Sequence, residues 1–173
     1  VVAGADTFLA ATAGLPPDQP VATPWYGEGA SLTVHQATCL LLGEQIVHGY
    51  DMAKAAHRPW PISDHDALLT FAAARAMMPK LADPVAIGAT TATFELRLGR
   101  AERFVVRVAD RAVATEPVAG QAIDCHVLAD PVAMLLLGYG RISQWRAIGR
   151  AKMITWGRRP WLAFRLPAFF SQP

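Results

Sequence analysis

A change of hydrophobic period near Pro84 is the feature that most constrains how this 173-residue chain folds. Before Pro84, apolar residues such as Leu42 and Ile46 recur at the three- and four-residue spacings of a helix. After it, residues 94–98 alternate between apolar and polar, and that period of two is typical of a half-buried strand. Helices first and strands later predict the α+β fold class.

Two domains follow from this change of period. We predict a helical-bundle segment over residues 1–84 and, over residues 85–173, a small antiparallel sheet with packed helices. Charge divides in the same way: residues 1–80 carry four basic and seven acidic side chains, and residues 81–173 carry twelve and seven. Such an asymmetry indicates two units with different partners.

Local signals place the helices of the first domain. Ser31 is predicted to cap the second helix, and Ser63 with Asp66 resembles a capping box for the third. Between the first two helices, Trp25 and Tyr26 are expected to pin a loop rich in Pro and Gly to the core. The predicted helices cover residues 3–13, 31–56 and 64–78, the last ending before Pro79.

The second domain begins with short strands joined by tight turns. Asp130-Pro131 predicts the start of a helix, because Asp is a good N-cap and Pro suits the first helical position. Pro160 is predicted to open a final helix that runs to Leu166. The predicted strands lie near residues 94–98, 104–108, 111–115, 123–127 and 150–156.

Composition excludes several classes of protein. The chain is 53% hydrophobic and 17% charged, so it is too apolar for a disordered segment. No apolar run reaches the roughly 20 residues of a membrane-spanning helix, and the first residues lack the basic start of a secretory signal. Cys39 and Cys125 stand far apart among apolar neighbours, so we expect buried thiols and a cytoplasmic protein.

One pair of side chains has the spacing of a metal site. Glu44 and His48 are four residues apart, so on a helix they lie about 40° from each other on adjacent turns. A carboxylate and an imidazole in that position can both reach zinc or a similar divalent ion, and Asp51 is close enough to orient the imidazole from behind. The alternative is an ordinary pair on the helix surface.

The surrounding residues sharpen this hypothesis. LLGEQIVHGYDMA at residues 41–53 and RPWP at residues 58–61 resemble the mycothiol-dependent maleylpyruvate isomerase family, whose metal-binding domain is a DinB-like helical bundle. Tyr50 stands where the family has Trp. The resemblance implies that Glu44 and His48 bind the metal and that Asp51 supports them.

The same resemblance implies an activity and its cofactors. The metal would activate the thiol of mycothiol, which adds to the double bond of a small carboxylate substrate and isomerises it. The family's third ligand is a His from an early helix, which would precede Val1 in this chain, so the site has two of its three protein ligands here. We therefore expect an isomerase or transferase of this type, or a protein whose metal site is vestigial.

The second half carries its own resemblance. The order of its strands, with Asp124, Ala129-Asp130-Pro131 and Gly140-Arg141, resembles the sterol-carrier-protein-like domain, in which a small sheet and its helices often enclose a lipid-sized tunnel. The alternative function that follows is a lipid or sterol carrier that binds an apolar ligand.

The last 33 residues combine aromatic side chains with seven cations and no acidic residue. Such a combination can stack on nucleic-acid bases or anchor a helix at a membrane surface. The more common arrangement is a core of aromatics with arginines around it, and that is what we expect. Nucleic acid is therefore not a predicted partner, and the oligomeric state stays open. The aromatics are Trp145, Trp156, Trp161, Phe164, Phe169 and Phe170.

Overall fold

The computed structural model describes residues 2–24 and 28–170. The predicted anchors Trp25 and Tyr26 lie outside these residues. The helices are α1 (Val2–Thr12), α2 (Val34–Ala55), α3 (Asp64–Leu81), α4 (Pro84–Ile87), α5 (Pro131–Gly138) and α6 (Gln144–Gly149). The strands are β1 (Pro20–Ala22), β2 (Ser31–Thr33), β3 (Ala92–Leu98), β4 (Glu102–Ala109), β5 (Ala112–Glu116), β6 (Cys125–Ala129) and β7 (Met153–Trp156).

The N-cap of helix α2 lies two residues later than predicted. Thr33 is its N-cap: the Thr33 hydroxyl accepts from the Gln36 backbone N–H at 3.1 Å, and the Gln36 side chain accepts from the Thr33 N–H at 3.0 Å. This reciprocal pair is a capping box and satisfies two backbone donors at once. The prediction of Ser31 as the cap is wrong, since Ser31 pairs with Ala22 in a short hairpin of β1 and β2.

Helix α3 starts as predicted and ends later. The Ser63 hydroxyl accepts from the Asp66 N–H at 3.1 Å, which confirms the cap. The helix continues through Pro79 to Leu81, so the predicted end before Pro79 is wrong. The fixed φ of proline suits a helix, and its missing N–H removes a single hydrogen bond from the last turn.

The five-stranded sheet has the order β5-β4-β3-β6-β7. Strand β6 runs parallel to β3, and the other neighbouring pairs are antiparallel. The sheet is therefore mixed where the sequence predicts an antiparallel one, because β6 returns to the free edge of β3 instead of extending the meander. The α+β class itself is confirmed.

The core lies on one face of this sheet, which we call the inner face. Phe94, Leu96 and Leu98 of β3 are at most 1% exposed there, and helices α3 and α5 pack above them. Phe71 of α3 belongs to this core, with its ring centroid 5.9 Å from that of Phe104. The predicted boundary between residues 84 and 85 stays a prediction.

The segment after β7 is not the predicted α-helix. Two 3₁₀ turns replace it, at Pro160–Phe164 and Leu166–Phe169. The backbone bonds in this segment reach three residues back, as from the Leu162 N–H to the Arg159 carbonyl at 3.1 Å and from the Arg165 N–H to the Leu162 carbonyl at 2.9 Å, which is the 3₁₀ pattern. The start at Pro160 and the helix Pro131–Gly138, capped by Asp130, agree with the predictions. Across the described ranges, no helix is both long and apolar enough to span a bilayer.

Candidate functional site

A cavity of about 200 Å³ lies between the inner face of the sheet and the helices. Apolar side chains from the sheet, such as Leu96 and Val127, form its floor, and residues of α3 and α5, such as Phe71 and Leu135, form its walls. The segment that follows β7 also lines the cavity, with Ala163, Leu166 and Pro167. Concave, mostly apolar sites of this kind bind small molecules.

Methionines dominate the adaptable part of the lining. Four of the five methionines of the chain contact this cavity, and they come from α3, α5 and β7. Methionine is unbranched and polarisable, so it fills irregular space and repacks at low cost. The cavity can therefore change its volume with its occupant. The four are Met77, Met78, Met134 and Met153.

Polar groups on the lining are few. Glu44 is the one charged residue among the described residues that line the cavity, and Gln144 and Tyr139 add polar atoms. The Gln144 Nε2 donates to the Phe164 carbonyl at 3.5 Å. Its Oε1 is buried and has no hydrogen-bond partner in the described part of the chain. A buried acceptor without a donor is costly, so this atom marks a place for a donor group of a ligand.

One member of the predicted metal pair, Glu44, lies at the edge of this cavity. The Glu44 Oε2 is 3.3 Å from the His48 Nε2 on adjacent turns of α2, and about half of the Glu44 side chain is exposed. Glu44 and Leu40 also line a second cavity of about 500 Å³, between α1, the β1–β2 hairpin and α2. Glu44 thus lies at the junction of the two cavities, whereas the exposed His48 beside it lines neither.

Asp51 has a different contact from the predicted one. Its carboxylate accepts from Arg141 at 2.6 Å from Nη2 and 3.0 Å from Nε, and Arg141 also donates to the Tyr139 carbonyl. The hydrogen bonds from Arg141 lower the pKa of Asp51, and the charge of His48 lowers it further. This bidentate pair ties α2 to the segment after α5. A role for Asp51 in orienting His48 stays a prediction.

A catalytic zinc site needs three protein ligands and an open position. Glu44 and His48 supply two, and within residues 2–24 and 28–170 no group of three or more His, Cys, Asp or Glu side chains is placed to hold a metal. The described residues therefore do not fit a catalytic zinc site by themselves. Metal binding by this pair, and a requirement for mycothiol, stay predictions.

The two sequence segments behind the isomerase resemblance contact each other. A Cβ added at Gly49 would lie 2.2 Å from the Trp60 side chain, so the indole packs directly on the backbone of α2. Only glycine allows this approach. The glycine after His48 therefore has a packing role that is independent of any metal.

The cysteines are buried as predicted. Burial is the main cause that raises the pKa of both the Cys39 and the Cys125 thiols. A thiol with a raised pKa is a poor nucleophile. Neither residue is therefore a candidate for covalent chemistry.

The opposite, outer face of the sheet carries a cluster that the sequence did not reveal. Burial of Glu95 raises the pKa of its carboxyl, but hydrogen bonds from Arg97, Arg103 and His126 outweigh burial and lower the pKa to about 2. The His126 ring stacks on Trp156 at 5.1 Å between centroids. In the sequence, Glu95 stands out only as a polar residue in an alternating strand, and its partners come from three strands.

Comparison with known proteins completes the description of the site. No protein-family model matches the chain, and no curated protein sequence matches it. Among solved structures, it is similar to a UbiJ-SCP2 ubiquinone synthesis protein (14% identity, 58% of this chain and 88% of that one, TM-score 0.47). It is also similar to sterol carrier protein 2 like 2 from Aedes aegypti (18% identity, 61% and 98%, TM-score 0.48).

A third similar structure is the sec-alkylsulfatase Pisa1 from Pseudomonas sp. (10% identity, 58% of this chain, TM-score 0.49), of which the chain spans 16%. Sterol carrier proteins recur among these structures. Each TM-score is below 0.5, so no ligand or activity follows from them. The isomerase resemblance of the first half has no counterpart among these structures and stays a prediction.

Proposed function

We propose that this chain binds a neutral, mostly apolar molecule of lipid type in the cavity beneath the helices, as a carrier-type protein does. The observation that carries the proposal is the lining itself: a concave site between sheet and helices, walled by aliphatic, aromatic and methionine side chains. Removing apolar surface from water is the main source of affinity in such a site.

The charges of the lining select the class of ligand. No Arg, Lys or His is among the described residues that line the cavity, and the charge of Glu44 is negative. A carboxylate inside would therefore lose its hydration without gaining a cation, and this argues against the small carboxylate substrate that the isomerase resemblance implies. A hydroxyl group can instead donate to the unpaired Oε1 of Gln144. We infer a long-chain alcohol or a sterol-like hydroxyl compound.

The volume fits this class once the methionines move. About 200 Å³ exceeds the roughly 150 Å³ of an engineered cavity that takes benzene, and drug-sized ligands occupy about 300–1,000 Å³. We expect rotation of Met77, Met78 and Met134 to enlarge the cavity when a ligand binds. Binding is therefore expected to alter the environment of the methionine methyl groups.

A matched pair of ligands tests the proposal. We expect dodecanol to bind more tightly than dodecanoate in calorimetric titrations of the purified chain. In Gln144→Leu the alcohol should bind about fivefold more weakly, the effect of one neutral hydrogen bond, while binding of an alkane of similar length is unchanged. Equal affinities for the alcohol and the carboxylate would contradict the proposed ligand class.

A second pair of variants tests the cavity. Ala74 of α3 lines it, and Ala72 on the same helix is exposed. Ala74→Trp fills the space and should abolish dodecanol binding, whereas Ala72→Trp should leave it intact. If both variants bind like the original chain, the cavity is not the site.

A metal-dependent isomerase of the maleylpyruvate type is the second candidate, and the convergence of Glu44 and His48 at 3.3 Å is what favours it. It predicts about one bound zinc per chain, lost in His48→Ala and measured by metal analysis after dialysis. His57→Ala is the control, since His57 lies in the turn after α2. If both variants retain zinc, the metal is not bound by His48. If the original chain and both variants bind no zinc, there is no metal site; either result would argue against the isomerase.

A further inference from the structure

Three large aromatic side chains, which we call the aromatic rim, are exposed near one wall of the cavity. Trp145 is 65% exposed, Trp161 58% and Phe164 36%. Trp145 of α6 stacks on Phe164 with 5.0 Å between ring centroids. The expectation that these aromatics form core is therefore wrong, and a cluster of exposed large apolar residues marks an interaction surface.

The 3₁₀ turn Pro160–Phe164 explains why two of these rings project outward together. Residues three apart in a 3₁₀ helix lie on the same side, so Trp161 and Phe164 share one face. Leu162 and Ala163 between them are about 5% exposed and pack into the core. One side of this turn therefore packs into the core, and the other side carries the two exposed aromatic rings.

Cations that form no ion pair in the described part of the chain flank the rim, and one of them, Arg165, has its guanidinium over the Phe169 ring, 5.5 Å from the centroid. Arg146 follows Trp145, and Arg165 follows Phe164; both are exposed, as is Arg150 one turn after Arg146. No ion pair of these three with any residue in 2–24 or 28–170 is present. The other cations of the segment form ion pairs: Arg141 with Asp51, Lys152 with Asp130, and Arg158 and Arg159 both with Asp124. Arg146, Arg150 and Arg165, which follow the rim residues in sequence and are exposed, therefore give the rim a positive charge.

The segments that carry the aromatic rim also line the cavity. Ala163, Leu166 and Pro167 of the two 3₁₀ turns line the cavity, and Gln144 lines it while its side chain donates to the Phe164 carbonyl. A surface that contacted the rim would therefore lie one layer of side chains from the bound molecule.

We propose that the aromatic rim docks on the surface of an anionic phospholipid bilayer. The indole rings of Trp145 and Trp161 suit the headgroup region, where the apolar ring and its polar N–H are both satisfied, and Phe164 adds apolar surface beside them. Each Arg near an anionic surface adds about fivefold in affinity, so Arg146, Arg150 and Arg165 together account for about 100-fold. Nucleic acid fits less well, because the faces of Trp145 and Phe164 are stacked on each other and one face of each is closed to a base.

Vesicle sedimentation of the purified chain tests this proposal. We expect vesicles of phosphatidylcholine and phosphatidylserine to bind the chain about 100-fold more tightly than phosphatidylcholine alone, and high salt to remove most of the difference. Brominated lipids should quench the tryptophan fluorescence of the bound chain. Binding without quenching, or equal binding to both vesicle types, overturns the proposal.

Matched variants locate the surface. Trp145→Ala with Trp161→Ala should abolish binding to anionic vesicles, and Arg146→Gln with Arg165→Gln should reduce it about 30-fold. The controls are Trp156→Ala and Arg107→Gln, which remove an exposed Trp and an exposed Arg from the outer face of the sheet. The proposal fails if the rim variants, folded by circular dichroism, bind like the controls.

A self-association measurement decides between a bilayer and a second copy of the chain. If the original chain is a dimer in sedimentation equilibrium and Trp145→Ala is a monomer, the rim is a protein contact and the proposal is overturned. If the original chain and Trp145→Ala are both monomers, the proposal is supported. The Ala74→Trp variant should still bind vesicles. Because this variant fills the ligand cavity and leaves the aromatic rim unchanged, it distinguishes a failure of the proposed ligand site from a failure of the proposed membrane surface.

Discussion

The two faces of the five-stranded sheet achieve the same burial by opposite means. Phe94 and Glu95 are neighbours on β3, both are 0% exposed, and they point to opposite faces. On the inner face, Phe94 packs edge-on against Phe169, with 6.5 Å between ring centroids. On the outer face, Glu95 accepts from two arginines and a histidine.

The difference explains why the ligand cavity is on the inner face. Apolar packing is not directional, so methionines there can move and leave a cavity at moderate cost. The Glu95 cluster is directional: every donor has to stay in place, because a buried carboxylate without its partners is costly. The outer face is therefore rigid and the inner face adaptable.

The largest loss of folding stability is expected from Phe94→Ala. Removing a buried ring from the inner face should lower the free energy of unfolding by about 4 kcal/mol, from lost apolar burial and the cavity that remains. Urea denaturation followed by circular dichroism measures it. A loss below 1 kcal/mol would mean that the inner face repacks freely and that the contrast between the faces is wrong.

Glu95→Gln should cost about 3 kcal/mol at neutral pH, slightly less than Phe94→Ala. The carboxyl pKa falls from its ordinary value of 4.5 to about 2 in the folded chain, and a shift of that size corresponds to about 3 kcal/mol. Glu116→Gln is the control, because Glu116 pairs with Arg107 at the exposed end of the sheet and such pairs contribute little. Equal losses in the two variants would contradict the prediction.

Lowering the pH should remove the stabilisation by Glu95 on the outer face and leave that by Phe94 on the inner face unchanged. Because the folded pKa of Glu95 lies below its unfolded value, its contribution is present above about pH 4.5 and is lost as the pH falls towards 2. The difference in stability between the original chain and Glu95→Gln should shrink over that range, whereas the difference for Phe94→Ala should stay constant. Urea titrations at a series of pH values measure both, and parallel curves would refute the assignment.

The smallest change in folding stability is expected from the double variant Met77→Leu with Met134→Leu. Volume is nearly conserved, so the free energy of unfolding should change by less than about 1.5 kcal/mol. The stiffer side chains should nevertheless weaken binding of bulky alcohols more than that of slim ones. Comparison of dodecanol with cholesterol by calorimetry checks this, and unchanged selectivity would show that the methionines do not adapt to the ligand.

Much of the fold follows from local signals in the sequence. Ser63 and Asp130 cap their helices as predicted, since a cap depends on residues three positions apart. The alternation in residues 94–98 becomes β3. The predictions failed where two local signals competed, as with Ser31 and Thr33, where the capping box with Gln36 determines the start of the helix.

The candidate site was predictable only in part. The spacing of Glu44 and His48 predicts that they meet, because one helix carries both. No spacing links the four methionines and Gln144, which come from α3, α5, α6 and β7 and line one cavity. The exposure of Trp145 was equally hidden, because an aromatic beside an arginine has the same sequence signature in a core and on a surface.

By itself, the sequence determined the helices, the strands and the side of each strand that is apolar, because periodicity and caps act over a few residues. Only the tertiary structure decided that β6 pairs in parallel with β3, that Asp51 contacts Arg141, and that two arginines and a histidine enclose Glu95. These outcomes depend on contacts between residues far apart in the chain. Their energies come from packing and charge in three dimensions, which no local pattern records.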